Sequence, residues 1–486
     1  MINPGPSTIA LVGELCERVE RSAPGTPYAE EARRIRERAT GPLRVAIAGR
    51  VKAGKSTMLN ALVGERLAAT DAGECTRVVT VYRHGDTYEV NGVGLDARLR
   101  PLRMVQDDGA WAIDLGGTPP AEFERIDVAW PSSVLADLTV VDTPGLGSLD
   151  GATSRRSLDF LVEHVDGSGA DAVIYLMRHL HALDAEFLEA FMDRSVIGAS
   201  PVNSIAVLAR PDEVGACRRD AMQSAQRIAQ RMACEARVRS LVSAVVPVAG
   251  LLAETAQTLR ESEFAALARL ALLPADELHL LLRSVDDLCE VSRSDLTVET
   301  RRALLGRLGL FGVRLAIDEI SSGRATTSGD LARALLEASG LSELRALIRE
   351  RFLPRAQTLK AHTALVSLDN LVRKMADDHG ALVHDMRREL ERAAAEGSDL
   401  AALTAAHLVT AEVVRTTTAE RAEVEVVLLA PAGPDAAIRG TDERELLAGI
   451  ERWRVRGSDP RGGQLLAQVS ETMARVYERA LEPTDG

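Results

Sequence analysis

Apolar residues Ile9, Val12, Leu15, Cys16 and Val19 recur at steps of three and four, the spacing of an amphipathic helix. A Pro24-Gly25-Thr26-Pro27 turn leads into a second helix over 28–38, carrying Arg33, Arg34, Arg36 and Arg38, and Gly41-Pro42 ends it. The period then changes. Short β-branched runs at 43–48, 78–83, 138–141, 172–177, 204–208 and 244–248 alternate with helical stretches at 57–63, 154–165, 185–193 and 221–238. That alternation predicts an α/β domain with a mainly parallel sheet and helices on both faces. The interval 85–131, broken by Gly and Pro, predicts added antiparallel strands around Trp111 and Trp130.

Beyond residue 255 the strand pattern stops. Helical periods occupy 255–273, 276–288, 299–320, 330–338 and 341–352. A stripe of Leu365, Leu368, Val372, Met375, Leu382, Met386 and Leu390 predicts one helix over 356–395, roughly 60 Å long. Glu396-Gly397-Ser398-Asp399 turns the chain, and 400–424 should run back beside it. The expected division is N-terminal helices at 1–40, an α/β domain at 41–265, a helical neck at 266–355 and a helical stalk at 356–486.

Composition narrows the chemistry. The 486 residues carry 58 Lys and Arg against 71 Asp and Glu, a net charge of −13. So acidic a chain does not suit broad nucleic-acid binding, which must neutralise phosphates, and 3% aromatics offer little base stacking. The five cysteines form no CxxC pair or Cys/His cluster, which argues against a metal centre and for a reducing cytosol. The N-terminus lacks a basic leader and soon acquires Glu14, Glu17 and Glu20, so no signal peptide is expected. The most apolar run, 241–253, is interrupted by Pro247 and Gly250 and falls short of the roughly 20 residues of a membrane span.

The candidate chemistry begins at Gly49-Arg50-Val51-Lys52-Ala53-Gly54-Lys55-Ser56, a G-x-x-x-x-G-K-[ST] loop between an apolar strand and a helix. Such a loop wraps phosphates in backbone N–H groups, backed by the helix dipole. Gly49, Val51, Lys52, Ala53, Gly54, Lys55, Ser56 and Thr57 form the phosphate-contacting set; Lys55 reaches the β- and γ-phosphates and the Ser56 hydroxyl holds Mg²⁺. At the end of another strand, Asp142-Thr143-Pro144-Gly145 offers a carboxylate for Mg²⁺ through water, and a Gly145 N–H near the γ-phosphate. Between them a loop Thr could close over Mg²⁺; Thr76 is preferred over Thr70 and Thr80. Later, Ala209-Arg210-Pro211-Asp212 follows a strand. The Asp212 carboxylate can accept both guanine N1–H and N2–H₂, and Arg210 could lie over the base. Ala249-Gly250 ends the last strand, where a backbone N–H can meet the guanine oxygen.

GRVKAGKST, ECTRVVT, VVDTPG, LARPDEVGA and VPVAGLLA, in this order and at these distances, resemble the bacterial dynamin-like GTPases. RLGLFGVRLA, SGLSEL and RAQTLKAHTALVSL are similar to the isoniazid-inducible dynamin-like proteins of actinobacteria, the shorter member of that pair in particular. The resemblance implies GTP and GDP as ligands, Mg²⁺ as cofactor, and hydrolysis of GTP to GDP and phosphate. It also implies self-association, a possible second dynamin-like partner, and peripheral attachment to anionic lipid at the inner face of the cytoplasmic membrane. Ala209 and Arg210 stand where the family usually has Thr-Lys, Ala249 where Ser is common, and Val51-Lys52 where eukaryotic dynamins have Gln-Ser. Lys52 is expected to take the place of a recruited monovalent cation.

These signals favour a GTP-driven mechanoenzyme. The alternative is a weakly hydrolysing nucleotide-binding scaffold that partners a more active relative. An RNA-assembly GTPase would need a basic module that the helical half lacks. Among minor features, His179-Leu180-His181 reads as a surface loop and 426–434 as a buried helix end. Arg452-Trp453-Arg454-Val455-Arg456 is the one basic–aromatic cluster, an anionic-lipid patch if it is not a salt-bridged helix face.

Overall fold

The fold, taken from a computed structural model, describes residues 8–50, 52–67, 78–95, 98–107, 110–143, 170–178, 201–290, 295–376, 380–396, 399–430 and 434–481. The helices expected at 154–165 and 185–193 lie outside these residues, as do Val51, Thr76, Gly145 and His179 to His181.

The strands are β1 (Leu43–Gly49), β2 (Val79–His84), β3 (Glu89–Gly94), β4 (Leu99–Pro101), β5 (Arg103–Asp107), β6 (Ala110–Asp114), β7 (Phe123–Trp130), β8 (Leu138–Asp142), β9 (Ala172–Met177), β10 (Ser204–Ala209) and β11 (Ala244–Val248). Nine form one sheet in the order β11-β10-β9-β1-β8-β2-β7-β3-β4, and β5–β6 make a separate hairpin. From β11 to β8 every pairing is parallel. β2 runs antiparallel to β8 and parallel to β7, while β3 is antiparallel to both β7 and β4. The interval 85–131 therefore extends the sheet with mixed strands. β9 and β10 are buried along their whole length, and β1 at all but one position, which is why they read as continuous apolar runs.

Each face of the sheet has its own core. Val45, Ile47, Val140, Ile174 and Val207 meet Met58, Leu59 and Leu62 of the helix Lys55–Val63, together with Leu341, Leu344 and Phe352. On the opposite face Ala46, Val141, Val173, Tyr175 and Ala206 meet Met232 and Val238. The helices from Gly250–Gln257 to Ser328–Ala338 share a third core built on Leu252, Leu267, Leu304, Phe311 and Leu335.

The far helices depart from expectation. The stripe at 365–390 is buried, but in two helices, Ala356–Lys374 and Gly380–Glu396, rather than one. The partners of this stripe are Val12, Leu15, Val19 and Ile35 of the first two helices, Thr8–Ser22 and Pro27–Thr40. The run 400–424 also divides, into Asp399–Thr410 and Thr418–Leu428. Thr417 caps the second helix, its hydroxyl accepting from Glu420 N while the Glu420 carboxylate accepts the Thr417 N–H at 2.7 Å. This helix packs with Glu443–Gly457 and Gly463–Leu481 around Trp453, Val469 and Met473.

Candidate nucleotide-binding site

Parallel strands deliver the loops at their carboxyl ends to one edge of the sheet. Gly49 and the phosphate loop follow β1, Asp142 ends β8, Arg210 to Asp212 follow β10, and Ala249-Gly250 follow β11. Residues separated by up to 201 positions, Gly49 and Gly250, are thereby gathered at one edge.

Two glycines shape the loop. Gly49 has φ 150°, and a Cβ there would stand 2.6 Å from Leu176 O of the neighbouring strand. Gly54 has φ 94° and caps the helix Lys55–Val63. Lys52 adopts φ 63°, a left-handed conformation uncommon for a side-chain-bearing residue and costly to hold. The Ala53 N–H donates to Arg50 O at 3.1 Å, closing the turn.

Lys55, Ser56 and Asp142 converge. Burial pushes the Asp142 carboxyl up to about 6, against the opposing pull of the Lys55 ammonium and a hydrogen bond from Ser56. Burial also lowers the Lys55 ammonium, against the pull of Asp142. Lys55 Nζ rests on Arg50 O at 3.4 Å. Asp142 Oδ1 is buried without a hydrogen-bond partner among the described residues, an arrangement costly unless a cation or its water completes it. The residues present therefore fit Mg²⁺, which the Ser56 hydroxyl and the Asp142 carboxylate would hold. Thr143 is buried too, its Oγ1 donating to Ile47 O at 2.9 Å, which pins the end of β8 to β1. Thr80, the competitor of Thr76, lies inside β2 with its hydroxyl on Val78 O at 3.4 Å, removed from any loop.

Asp212, the expected base reader, lies in the short turn Pro211–Glu213, its carboxyl raised by burial. Gly309, at φ 65° inside the helix Val298–Ser321, passes so close that a Cβ would stand 3.6 Å from Asp212 Oδ2. Arg210, expected to lie over the base, turns its guanidinium toward the phosphate loop. Its Nη2 donates to Lys52 O at 3.2 Å and its Nη1 to Glu213 Oε1 at 3.0 Å. Ala249 is fully buried and its N–H donates to Ser339 O at 2.9 Å, so this one donor of the Ala249-Gly250 pair is already committed. Gly250 begins the next helix beside the phosphate-loop helix, where a Cβ would meet Thr57 Cγ2 and Met58 Cε at 3.6 Å.

Sequence reasoning missed a buried hub behind the loop. Glu254, 3% exposed, accepts from Asn60 Nδ2 at 3.1 Å and pairs with Arg66 Nε at 3.0 Å and Arg307 Nη1 at 3.8 Å. Arg307 continues to Glu263 Oε1 at 2.9 Å, so the hub joins the phosphate-loop helix to the kinked helix. The only sequence signal was a carboxylate inside an apolar helix start, Gly250–Gln257. The cluster at 452–456 is also settled: Trp453 is buried and donates to Glu423 at 2.9 Å, and Arg452, Arg454 and Arg456 pair with Glu423, Glu478 and Glu420. It is a salt-bridged helix face, not a free lipid patch.

A parallel sheet with a glycine-rich phosphate loop on its central strand, a carboxylate on the adjacent strand and an Asp turn two strands to the other side defines a P-loop nucleotide-binding protein. The family model described as "Dynamin family" matches residues 45–196. The isoniazid-induced protein IniC of Mycobacterium tuberculosis (strain ATCC 25618 / H37Rv) is 42% identical over 343 residues, covering 70% of this chain and 69% of that protein. A bacterial dynamin-like protein of Nostoc punctiforme (strain ATCC 29133 / PCC 73102) is 31% identical over 149 residues, 28% of this chain and 20% of its own. A solved bacterial dynamin pair aligns with 98% of this chain and 75% of its own at TM-score 0.30 and 13% identity, a level at which the overlay bears no weight. The chain belongs to the dynamin family and is a dynamin-like GTPase. Among the described residues no helix is long and apolar enough to cross a membrane.

Proposed function

We propose that the protein is a Mg²⁺-dependent GTP-hydrolysing mechanoenzyme that self-associates and works peripherally at the inner face of the cytoplasmic membrane, with a second dynamin-like protein as partner. The observation that carries the nucleotide half is the convergence of Lys55, Ser56 and the unpartnered Asp142 Oδ1 at one edge of the sheet. In this reading Lys55 and the loop N–H groups neutralise the β- and γ-phosphates, and Lys52 adds charge near the β–γ bridge. Asp212 accepts from guanine N1–H and N2–H₂. Bound Mg²⁺ would supply charge neutralisation across the β- and γ-oxygens. Thr76 and Gly145 are proposed to close over the γ-phosphate, and Val51 to line it.

Residues 41–265 form the hydrolysing head of this proposal, and 1–40, 266–355 and 356–486 the helices that it moves. The Glu254 hub supports such coupling, because one buried carboxylate joins Asn60 of the phosphate-loop helix to Arg307 of the kinked helix. A second reading, a weakly hydrolysing scaffold, draws on Ala249, whose N–H is committed to Ser339 O and so removes one donor from the base side. Phosphate release from GTP and from ATP, with and without anionic liposomes and across protein concentrations, separates the two. GTP-selective release that rises with liposomes or concentration supports the mechanoenzyme. Tight binding with negligible release under all conditions supports the scaffold.

A further inference from the structure

A cavity of about 530 Å³ opens in the C-terminal helices, far in sequence from the nucleotide site. Its walls are the turn after Asp399–Thr410 and the connection between Glu443–Gly457 and Gly463–Leu481. Arg415, Arg456 and Arg461 line it, with Val413 and Leu465 as apolar neighbours. Asp459 is the one acid on the wall, and it is already satisfied: Oδ2 accepts from Arg456 Nη1 at 3.3 Å and Oδ1 from the Arg461 N–H at 2.9 Å. Arg456 is spent inside the fold, on Glu420 at 2.9 Å and on Arg415 O at 2.9 Å. The guanidinium groups of Arg415 and Arg461 have no such acceptor among the described residues, and both side chains are exposed. In a chain of net charge −13, two unpaired arginines on one cavity wall mark a local site for an anion.

We propose that this cavity binds the phosphate headgroup of an anionic phospholipid. Guanidinium forks match phosphate oxygens, and the apolar side chains suit the glycerol and first methylenes of a lipid better than they suit a fully hydrated ion. The proposal rests on the membrane reading above and assigns its contact to Arg415 and Arg461, in place of the internally paired 452–456 face.

The test uses the full chain with vesicles of phosphatidylglycerol or of phosphatidylcholine, read by co-sedimentation at low and high salt. R415Q/R461Q removes both free cations and leaves every backbone hydrogen bond described for these residues in place. R373Q/R388Q is the charge-matched control, since Arg373 and Arg388 form exposed pairs on other helices. The unmodified protein should pellet with phosphatidylglycerol and not with phosphatidylcholine. R415Q/R461Q should bind about 30-fold more weakly, from the roughly fivefold that each surface basic residue contributes. The control and the GTP affinity should not change. Undiminished pelleting of R415Q/R461Q overturns the pocket and leaves the membrane reading intact. No pelleting of the unmodified protein, with inorganic phosphate giving calorimetric heat that R415Q/R461Q abolishes, assigns the cavity to a free phosphate and overturns the lipid. Absence of both signals overturns the proposal together with the membrane reading, while GTP binding reports separately on the nucleotide site.

Discussion

Arg210 Nη2 donates to the main-chain oxygen of Lys52 at 3.2 Å across 158 positions of sequence, and both residues hold left-handed backbone angles, φ 53° and 63°. The turn that carries Asp212 and the phosphate loop are thus joined by one guanidinium, whose other arm holds Glu213. Each strained turn constrains the other before any ligand arrives.

Arg210→Ala removes that joint. GTP and GDP affinity should fall about 5- to 10-fold, the worth of a charged hydrogen bond discounted for partial exposure. Arg210→Lys, with one donor head in place of a fork, should recover only part of it. Calorimetry with both nucleotides checks this, and unchanged affinity in Arg210→Ala would show that the link is idle.

Asp212→Asn should erase the preference for GTP over ATP, because an amide cannot accept both guanine donors. The same variant should gain affinity for xanthosine triphosphate, whose 2-oxo group accepts from the new amide. Competition binding among the three nucleotides decides it; retained GTP selectivity would place base recognition elsewhere.

Asp142 carries a pH signature. Its folded pKa, about 6, lies above the ordinary 3.8, so without Mg²⁺ the buried charge destabilises the fold at pH 7. That cost is relieved as pH falls through 6 toward 4. Asp142→Asn should therefore stabilise the ligand-free protein by up to roughly 3 kcal/mol, read as a higher melting temperature, while abolishing Mg²⁺-dependent GTP binding. In the unmodified protein Mg²⁺ affinity should decline below about pH 6. A lower melting temperature in Asp142→Asn would contradict the assignment.

Lys55→Ala should abolish triphosphate binding, since no other ammonium stands beside Asp142. Lys52 separates conformation from charge. Lys52→Gly relieves a left-handed residue and should stabilise the fold by about 1 kcal/mol yet slow hydrolysis. Lys52→Ser should slow hydrolysis or make it dependent on K⁺ over Na⁺. A marked K⁺ requirement in the unmodified protein would remove Lys52 from the cation's place.

Glu254→Gln keeps the shape and the contact with Asn60 but strips the charge that faces Arg66 and Arg307. Removing this buried charge from its pairs with Arg66 and Arg307 should cost about 2 kcal/mol, since Arg307 keeps its bond to Glu263. The expected result is an earlier urea transition and slower GTP hydrolysis at unchanged nucleotide affinity. Hydrolysis that stays normal after correction for folded fraction would make the hub purely structural.

Periodicity alone determined the strands β1, β2, β8, β9, β10 and β11 to within a residue or two, because buried parallel strands are runs of apolar β-branched side chains that need no context to be recognised. Gly-Lys-Ser after β1 and Asp142 at the end of β8 were legible for the same reason: a functional residue at a strand's end is marked by the strand. What the sequence could not determine was which donors remain free once the chain is folded. Ala249 N–H meets Ser339 O, Arg210 reaches Lys52, and Arg452 to Arg456 are consumed by Glu420, Glu423 and Glu478, all across distances that leave no local signature. Helix lengths past 356 were likewise decided late, since an apolar stripe continues across a break whenever both halves face one core, as Leu365 and Leu390 do against Val12 and Val19. Apolar pattern is written residue by residue. The partner of a polar group is chosen only when distant segments meet, and that choice belongs to the tertiary structure.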